Sequence, residues 1–252
     1  MKNISYIVAL LLSTLAFAQN NQLFNEANAL YNEANYTEAL DKYKTILDSG
    51  EHSAALYFNI ANAHYKLNHI APSIYYYEKA LLLKPNDKDI KNNIAFARNM
   101  TVDAIDSVPE VGISKLIKNV TNTMTFDSWA KTSVGLIMLF VLFFIVYYFT
   151  YSTSKKRVAF ITSNISLLLA IVSLAFAFHK FKLVENDQPA IVFAQETKIK
   201  SEPNLRSAEA FVLHEGTKVQ VLDTVSNWKK IKLSDGKTGW VMNDDIKMLK
   251  IF

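Results

Sequence analysis

Apolar positions recur at helical spacing through the first hundred residues. The segment 73–87, SIYYYEKALLLKPND, spaces them three and four apart, which predicts a helix that ends before Pro85. The pattern recurs with an offset of 34 residues in segment 36–50, YTEALDKYKTILDSG, where Tyr43 takes the place of Tyr77. A period of this length, with two helices per unit, predicts helical repeats that bury one another's apolar faces.

The motif ANAHYKLN…SIYYYEKALLLKP (61–85) resembles the tetratricopeptide repeat, an all-α fold. The repeats are expected at about 20–53 and 54–87, followed by a capping helix at 88–100, so that the repeat domain covers 19–100. Tyr77 is expected to fill the space between helices, whereas Tyr75 and Tyr76 are expected on flanking or outer surface.

In tetratricopeptide repeats the first helix of each pair lines a concave groove that binds a partner. The resemblance places six residues there: Asn28, Tyr31, Phe58, Asn62, Tyr65 and Asn92. As a surface residue of the groove, Asn62 is expected to contribute little to folding.

Two charge-free hydrophobic runs follow, at 132–154 and 158–178. About twenty apolar residues at ~1.5 Å each cover the ~30 Å hydrocarbon layer of a bilayer, so both runs are predicted to be transmembrane helices. The turn between them holds Lys155, Lys156 and Arg157. Two buried core helices are the alternative, but the rest of the chain is too small to cover them. Asn164 is expected to face the first span or a partner's span.

Residues 1–18, MKNISYIVALLLSTLAFA, combine a lysine, an apolar run and small residues before Gln19, as in a secretory signal. An uncleaved anchor is the alternative. A signal would send residue 19 onward across the membrane, so the basic turn is expected in the cytoplasm and both terminal domains outside it. The prediction is therefore a bacterial inner-membrane protein whose soluble domains face the periplasm.

The linker 101–131 contains an amphipathic segment. Ile113, Leu116, Ile117 and Val120 share one helical face, with lysines on the other. Such a helix fits the membrane interface, and it fits a plain connector equally well.

Residues 189–250 alternate apolar with polar positions and break at Glu-Gly, Ser-Asn and Asp-Gly pairs, which predicts a run of short strands. The segments EGTKVQVL and WKKIKLSDGKTGWV resemble the bacterial SH3-like barrel. Trp228 and Trp240 are candidates for a peptide or glycan groove. A place in the core is the favoured interpretation, because so small a domain needs large apolar residues.

The amino-acid composition limits the kinds of ligand and reaction that the chain is expected to support. Half of the 252 residues are hydrophobic, and the net charge of +4 comes from the parts that flank the membrane, so no nucleic-acid partner is expected. The chain has no cysteine, and its five histidines show no ligand spacing; His64 and His69, five apart, are not a same-face pair on a helix. It also has no phosphate-binding loop or nucleophile motif. We therefore predict no enzyme activity, cofactor or metal.

The order of these parts, and the phrase FNIANAHYKLNHIAPSIYYYEKALLLKPNDKDIKNNIAFAR, resemble the BatE family of aerotolerance operon proteins. The resemblance implies envelope partners, namely membrane proteins with von Willebrand factor A domains and a MoxR-type ATPase, in a system for oxygen tolerance and envelope stress. The favoured function is a membrane-anchored adaptor between proteins. The alternative is a cell-wall sensor that binds peptidoglycan through the barrel. An enzyme or transporter is disfavoured, because the two spans contain no internal charge.

Overall fold

A computed structural model describes residues 19–105 and 112–249 of the chain. The predicted signal, residues 1–18, lies outside this part. The described residues form two compact units. One combines 19–105 with 188–249, and the other comprises 112–187.

The N-terminal part is helical, as predicted. Residues 19–32 belong to α1, and four more helices follow: α2 (Tyr36–Asp48), α3 (Ala54–Lys66), α4 (Ile70–Leu83) and α5 (Lys88–Arg98). The side chain of Ser53 caps α3 by accepting the backbone N–H of Leu56, and Asp87 caps α5 in the same way. Alanines lie fully buried where helices cross, and Tyr43, Tyr57 and Tyr77 fill the space between them. The core position predicted for Tyr77, which is 1% exposed, is confirmed.

The C-terminal part is an antiparallel sheet of seven strands. The strands are β1 (Pro189–Val192), β2 (Glu196–Lys200), β3 (Glu209–His214), β4 (Lys218–Val225), β5 (Trp228–Lys232), β6 (Thr238–Met242) and β7 (Ile246–Met248), in the order β3-β2-β6-β5-β4-β1-β7. Every strand contributes to one buried cluster, from Ala190 in β1 to Ile246 in β7. The sheet therefore wraps around a common core, and it is called the barrel below.

The barrel packs against the repeat helices through β1. All four residues of this strand are buried, because its two faces serve different cores. Ala190 and Val192 belong to the barrel core, whereas Ile191 joins the helix core that contains Tyr75. The ring of Phe193 meets the ring of Tyr75 edge-on at 5.6 Å. Tyr75 is thus only 7% exposed, and the prediction that it lies on flanking or outer surface is wrong, because the barrel covers it.

Polar contacts reinforce this packing. The carboxylate of Glu78, on α4, is 2.6 Å from Arg98 of α5 and 2.7 Å from Lys218 of β4. Asp103, which follows the repeats, accepts hydrogen bonds from the backbone N–H of His214 at 2.7 Å and from the Thr217 hydroxyl at 2.6 Å. Burial alone would raise the pKa of Asp103, but the hydrogen bonds from Thr217 and His214 outweigh it and hold the pKa below its ordinary value.

The second unit contains α6 (Ile113–Thr121), α7 (Phe126–Phe149) and α8 (Thr153–Asn186). Both α7 and α8 are long and apolar enough to cross a membrane. They pair in antiparallel fashion, since Ser133 donates to the carbonyl of Ala170 while Ser173 donates to that of Trp129. The side of α8 that faces α7 consists of small buried residues at every third or fourth position: Ala159, Ser163, Ser166, Ala170, Ser173 and Ala177.

Two details of this unit differ from the sequence prediction. The connection between the helices is residues 150–152, and Lys155, Lys156 and Arg157 lie within the first two turns of α8. Lysine and arginine are good helix formers, whereas hydroxyl residues such as Ser152 favour helix ends. The predicted span 132–154 accordingly ends early, at Phe149, and α8 continues beyond residue 178.

Asn164 is exposed on α8 and donates to the carbonyl of Phe160 in its own helix, at 2.8 Å. It therefore points away from α7, and the alternative in which it faces the first span is wrong. A partner's span remains a prediction.

Candidate functional site

The first helices of the repeats, α1, α3 and α5, form the face on which a partner-binding groove is predicted; it is called the groove face below. A recurring hydrogen-bond network joins these helices. The side-chain oxygen of Asn28 on α1 accepts from the hydroxyl of Tyr43 at 2.6 Å and from the amide of Asn59, on α3, at 2.8 Å. Asn28 therefore links α1 to α2, the second helix of the same repeat, and to α3, the first helix of the next repeat.

The same network occurs one repeat later. The side-chain oxygen of Asn62 on α3 accepts from the hydroxyl of Tyr77 and from the amide of Asn93, on α5, at 3.0 Å. Burial raises the pKa of Tyr77, and it raises that of Tyr43 to about 12, so both hydroxyls stay protonated and donate. Asn62 thus holds the repeats together, which differs from its predicted role as a free surface residue.

Aromatic side chains supply the accessible part of the groove face. Tyr31, Phe58 and Tyr65 are half-buried, and Asn92 is exposed. One turn beyond Asn92, Phe96 is 60% exposed. Phe96 is not among the residues predicted for the groove, although its offset of 34 residues from Asn62 could have located it. The structure thus leaves Tyr31, Phe58, Tyr65 and Asn92 accessible, while Asn28 and Asn62 act mainly within the fold.

A second candidate surface lies on the outside of the barrel. Trp228 pairs with Met242 across β5 and β6, and Trp240 pairs with Lys230. The alternate residues on these strands, Ile231 and Val241, are buried in the core. Since side chains alternate between the faces of a sheet, the two tryptophans share the outer face.

The tryptophans do not form the barrel core. Both are half-buried, and the core is built from smaller aliphatic residues, so the core alternative for Trp228 and Trp240 is wrong. Lys200 pairs with Trp240 from the other side, and the Lys230 ammonium lies 6.0 Å from the centre of its ring. This outer face, called the tryptophan face below, therefore combines flat aromatic surface with positive charge.

Two histidines come together in a way that helical spacing did not predict. His64, near the end of α3, and His69, just before α4, have their Nδ1 atoms 3.1 Å apart, because the turn between the helices folds one back onto the other. Burial lowers the pKa of His64 to about 4, so its ring is neutral at neutral pH. Within 19–105 and 112–249, no three His, Cys, Asp or Glu residues cluster in a way that could hold a metal ion.

Comparison with known families supports the division of the chain. A model of the tetratricopeptide repeat matches residues 54–87, and a model of the bacterial SH3 domain matches residues 196–247. No curated protein matches the chain. The chain therefore combines an all-α tetratricopeptide-repeat domain, two apolar helices and an all-β bacterial SH3-like domain. Both domain types are typically non-catalytic interaction domains, and they support a role in binding proteins or the cell wall.

Proposed function

We propose that this protein is a membrane-anchored, non-enzymatic adaptor of the bacterial cell envelope. The tetratricopeptide repeats bind a peptide segment of a partner protein on the groove face. The apolar helices α7 and α8 cross the inner membrane, and the barrel stays attached to the repeats on the periplasmic side.

The observation that carries this proposal is the position of the barrel on the repeats. It packs on α4, the second helix of its pair, and buries Tyr75 there. The groove face lies on the first helices, and Phe96 stays 60% exposed with the barrel in place. The half-buried aromatic rings of the groove face suit the side chains of a peptide, because such rings offer a large contact area at a small entropic cost.

Membrane anchoring is supported by the length and apolar composition of α7 and α8. Two spans between the repeats and the barrel return the chain to its starting side. That agrees with the direct packing of β1 on α4, which requires both domains in one compartment.

The resemblance to the BatE family suggests who the partners are. We propose membrane proteins with von Willebrand factor A domains, acting with a MoxR-type ATPase in oxygen tolerance and envelope stress. Asn164 provides a candidate contact with a partner's span, because a side-chain amide at lipid depth favours another polar group.

Affinity purification of the full chain from detergent tests the adaptor role. Phe96→Ala, on the groove face, is expected to lower partner recovery at least tenfold while leaving folding intact, because the side chain is largely exposed. Leu83→Ala is the matched control, since Leu83 is an apolar residue of α4 that is 45% exposed. Equal recovery with both variants would rule out the groove face as the binding site.

The tryptophan face favours a second function, binding of peptidoglycan. Aromatic rings flanked by lysines suit sugar rings and the carboxylates of wall peptides. If the barrel binds the wall, the full chain in detergent sediments with purified wall material, and the double variant Trp228→Ala/Trp240→Ala does not. Phe96→Ala should sediment normally. Co-sedimentation that survives loss of both tryptophans would argue against this function.

A further inference from the structure

Helix α6 is attached to the end of the α7–α8 pair. Thr121, its last residue, is fully buried, and its carbonyl accepts the indole N–H of Trp129 at 3.2 Å. The adjacent Asn122 accepts a hydrogen bond from the ammonium of Lys180 on α8. Lys131 of α7 and Lys180 of α8 lie at this level. The charge-free stretch of α7 begins directly after Lys131, and that of α8 ends before Lys180. The C-terminal end of α6 therefore lies where the apolar part of the helix pair stops.

The apolar arc of α6 remains uncovered at this level. Leu116 is 65% exposed, and Ile117 and Val120 are similarly accessible, as is Met124 just after the helix. Lys115 and Lys118 lie on the opposite arc and are exposed as well. A short helix gains little from propensity alone, so an exposed apolar arc of this kind requires an apolar surface to cover it.

The surroundings of α6 carry positive charge. Within residues 112–182, five lysines flank the helix and the ends of α7 and α8, namely Lys115, Lys118, Lys131, Lys180 and Lys182. Asp127 is the only acidic residue of this range, and Glu185 and Asp187 follow near the C-terminal end of α8, so that the lysines remain in excess. Such a band complements the anionic headgroups of a bilayer, and each lysine near the surface adds to that attraction.

We propose that α6 binds the surface of the bilayer that α7 and α8 cross. Its apolar arc lies at the boundary between headgroups and acyl chains, and the lysines lie at the level of the lipid phosphates. The inference rests on the proposed membrane anchoring, and it selects the interfacial role for α6 over that of a plain connector. The lipid surface is favoured over a protein partner because the arc is continuous with a membrane-sized apolar surface and is ringed by cations.

The absence of cysteine makes a direct test practical. Leu116→Cys places a fluorescent label on the apolar arc, and Lys118→Cys places it on the opposite arc of the same helix. Leu142→Cys, on the exposed side of α7, reports the membrane interior, and Leu205→Cys, on an exposed loop of the barrel, reports water. The full chain is reconstituted into vesicles of phosphatidylcholine and phosphatidylglycerol that contain lipids brominated near the headgroup or deep in the chain.

The expected result is quenching at Leu116 by shallow brominated lipid, several-fold stronger than at Lys118, while Leu142 responds best to deep bromines. Quenching at Leu116 should fall when phosphatidylglycerol is omitted, and an unchanged value would overturn the role of the lysines. If Leu116 behaves like Leu205 while Leu142 is quenched, α6 does not bind the bilayer although the protein is anchored. A Leu116 label shielded from both lipid and aqueous quenchers would mean that protein covers the arc, which also overturns the proposal. Loss of quenching at Leu142 would instead overturn the anchoring.

Discussion

Asn62 accepts the hydroxyl hydrogen of Tyr77, and through the same oxygen it accepts the side-chain amide of Asn93. Asn28, Tyr43 and Asn59 repeat this arrangement one unit earlier. Asn28 of α1 and Asn62 of α3 therefore each link three helices. Its recurrence at the repeat period follows from this structural role, whether or not a peptide also contacts the amide.

The first prediction concerns this link. Asn62→Ala leaves the buried Tyr77 hydroxyl without its acceptor, which should destabilise the full chain in detergent by about 1–3 kcal/mol. Tyr77→Phe should cost about 1 kcal/mol, and the double variant less than the sum of the two, because the residues share one interaction. The measurement is thermal or denaturant unfolding, with Asn92→Ala as the exposed control. Unfolding of Asn62→Ala that matches the wild type would contradict the structural role.

The repeating elements of the fold could be predicted from the sequence because each leaves a periodic signal. The offset of 34 residues located the helices, charge-free runs located α7 and α8, and alternation located strands such as β5 and β6. Tyr77 could be placed in the core because its position in the repeat is fixed by neighbours close in sequence.

The docking of the barrel could not be predicted, because it joins residues that are far apart in the chain. Tyr75 donates to the carbonyl of Met248, 173 positions away, and Asp103 meets His214 across 111 positions. The sequence pattern alone assigns Tyr75 to flanking or outer surface. Similarly, the repeat period gave the position of Asn62, but it could not decide between a ligand and Tyr77 as the partner of its side chain.

A second prediction addresses the docking through Gly216. This residue has φ +86°, and an added Cβ would lie 2.8 Å from the Thr101 side chain and 2.9 Å from that of Ile74 on α4. Gly216→Ala should therefore loosen the barrel from the repeats. Hydrogen exchange of the α4 backbone amides should become at least tenfold faster.

Gly236→Ala is the matched control for this substitution. Gly236 has a similar φ of +93°, but nothing lies within 4 Å of the position of its Cβ. Both variants carry the backbone strain of a left-handed alanine, and only one carries the clash. Equal exchange of α4 in the two variants would show that Gly216 does not support docking.

A third prediction concerns the contribution of Asp103 to stability at low pH. Because the pKa of Asp103 is lowered in the folded state, its contribution to stability is fully present above the unfolded value of about 3.9. It is lost as the pH falls through the folded pKa. The wild type should therefore exceed Asp103→Asn in unfolding free energy by a constant amount near pH 6, and this difference should shrink below about pH 4. A difference that is independent of pH down to about pH 2 would indicate that the charge of Asp103 does not matter.

The last prediction concerns topology, on which every compartment assignment depends. If α7 and α8 both span the membrane, the repeats and the barrel lie on one side, as the packing of Ile191 against the repeat core requires. The signal-like residues 1–18 and the basic start of α8 predict that this side is the periplasm. An alkaline phosphatase domain fused after Phe252, which folds only outside the cytoplasm, should be active, and the same domain inserted at Lys156 should be inactive.

Lys155→Glu/Lys156→Glu/Arg157→Glu should reduce the contrast between the two fusions, because the charge bias that holds the connection in the cytoplasm is then reversed. Activity at Lys156 together with inactivity at Phe252 would reverse the orientation while leaving the docking of the two domains intact, whereas activity at both sites would contradict two complete spans.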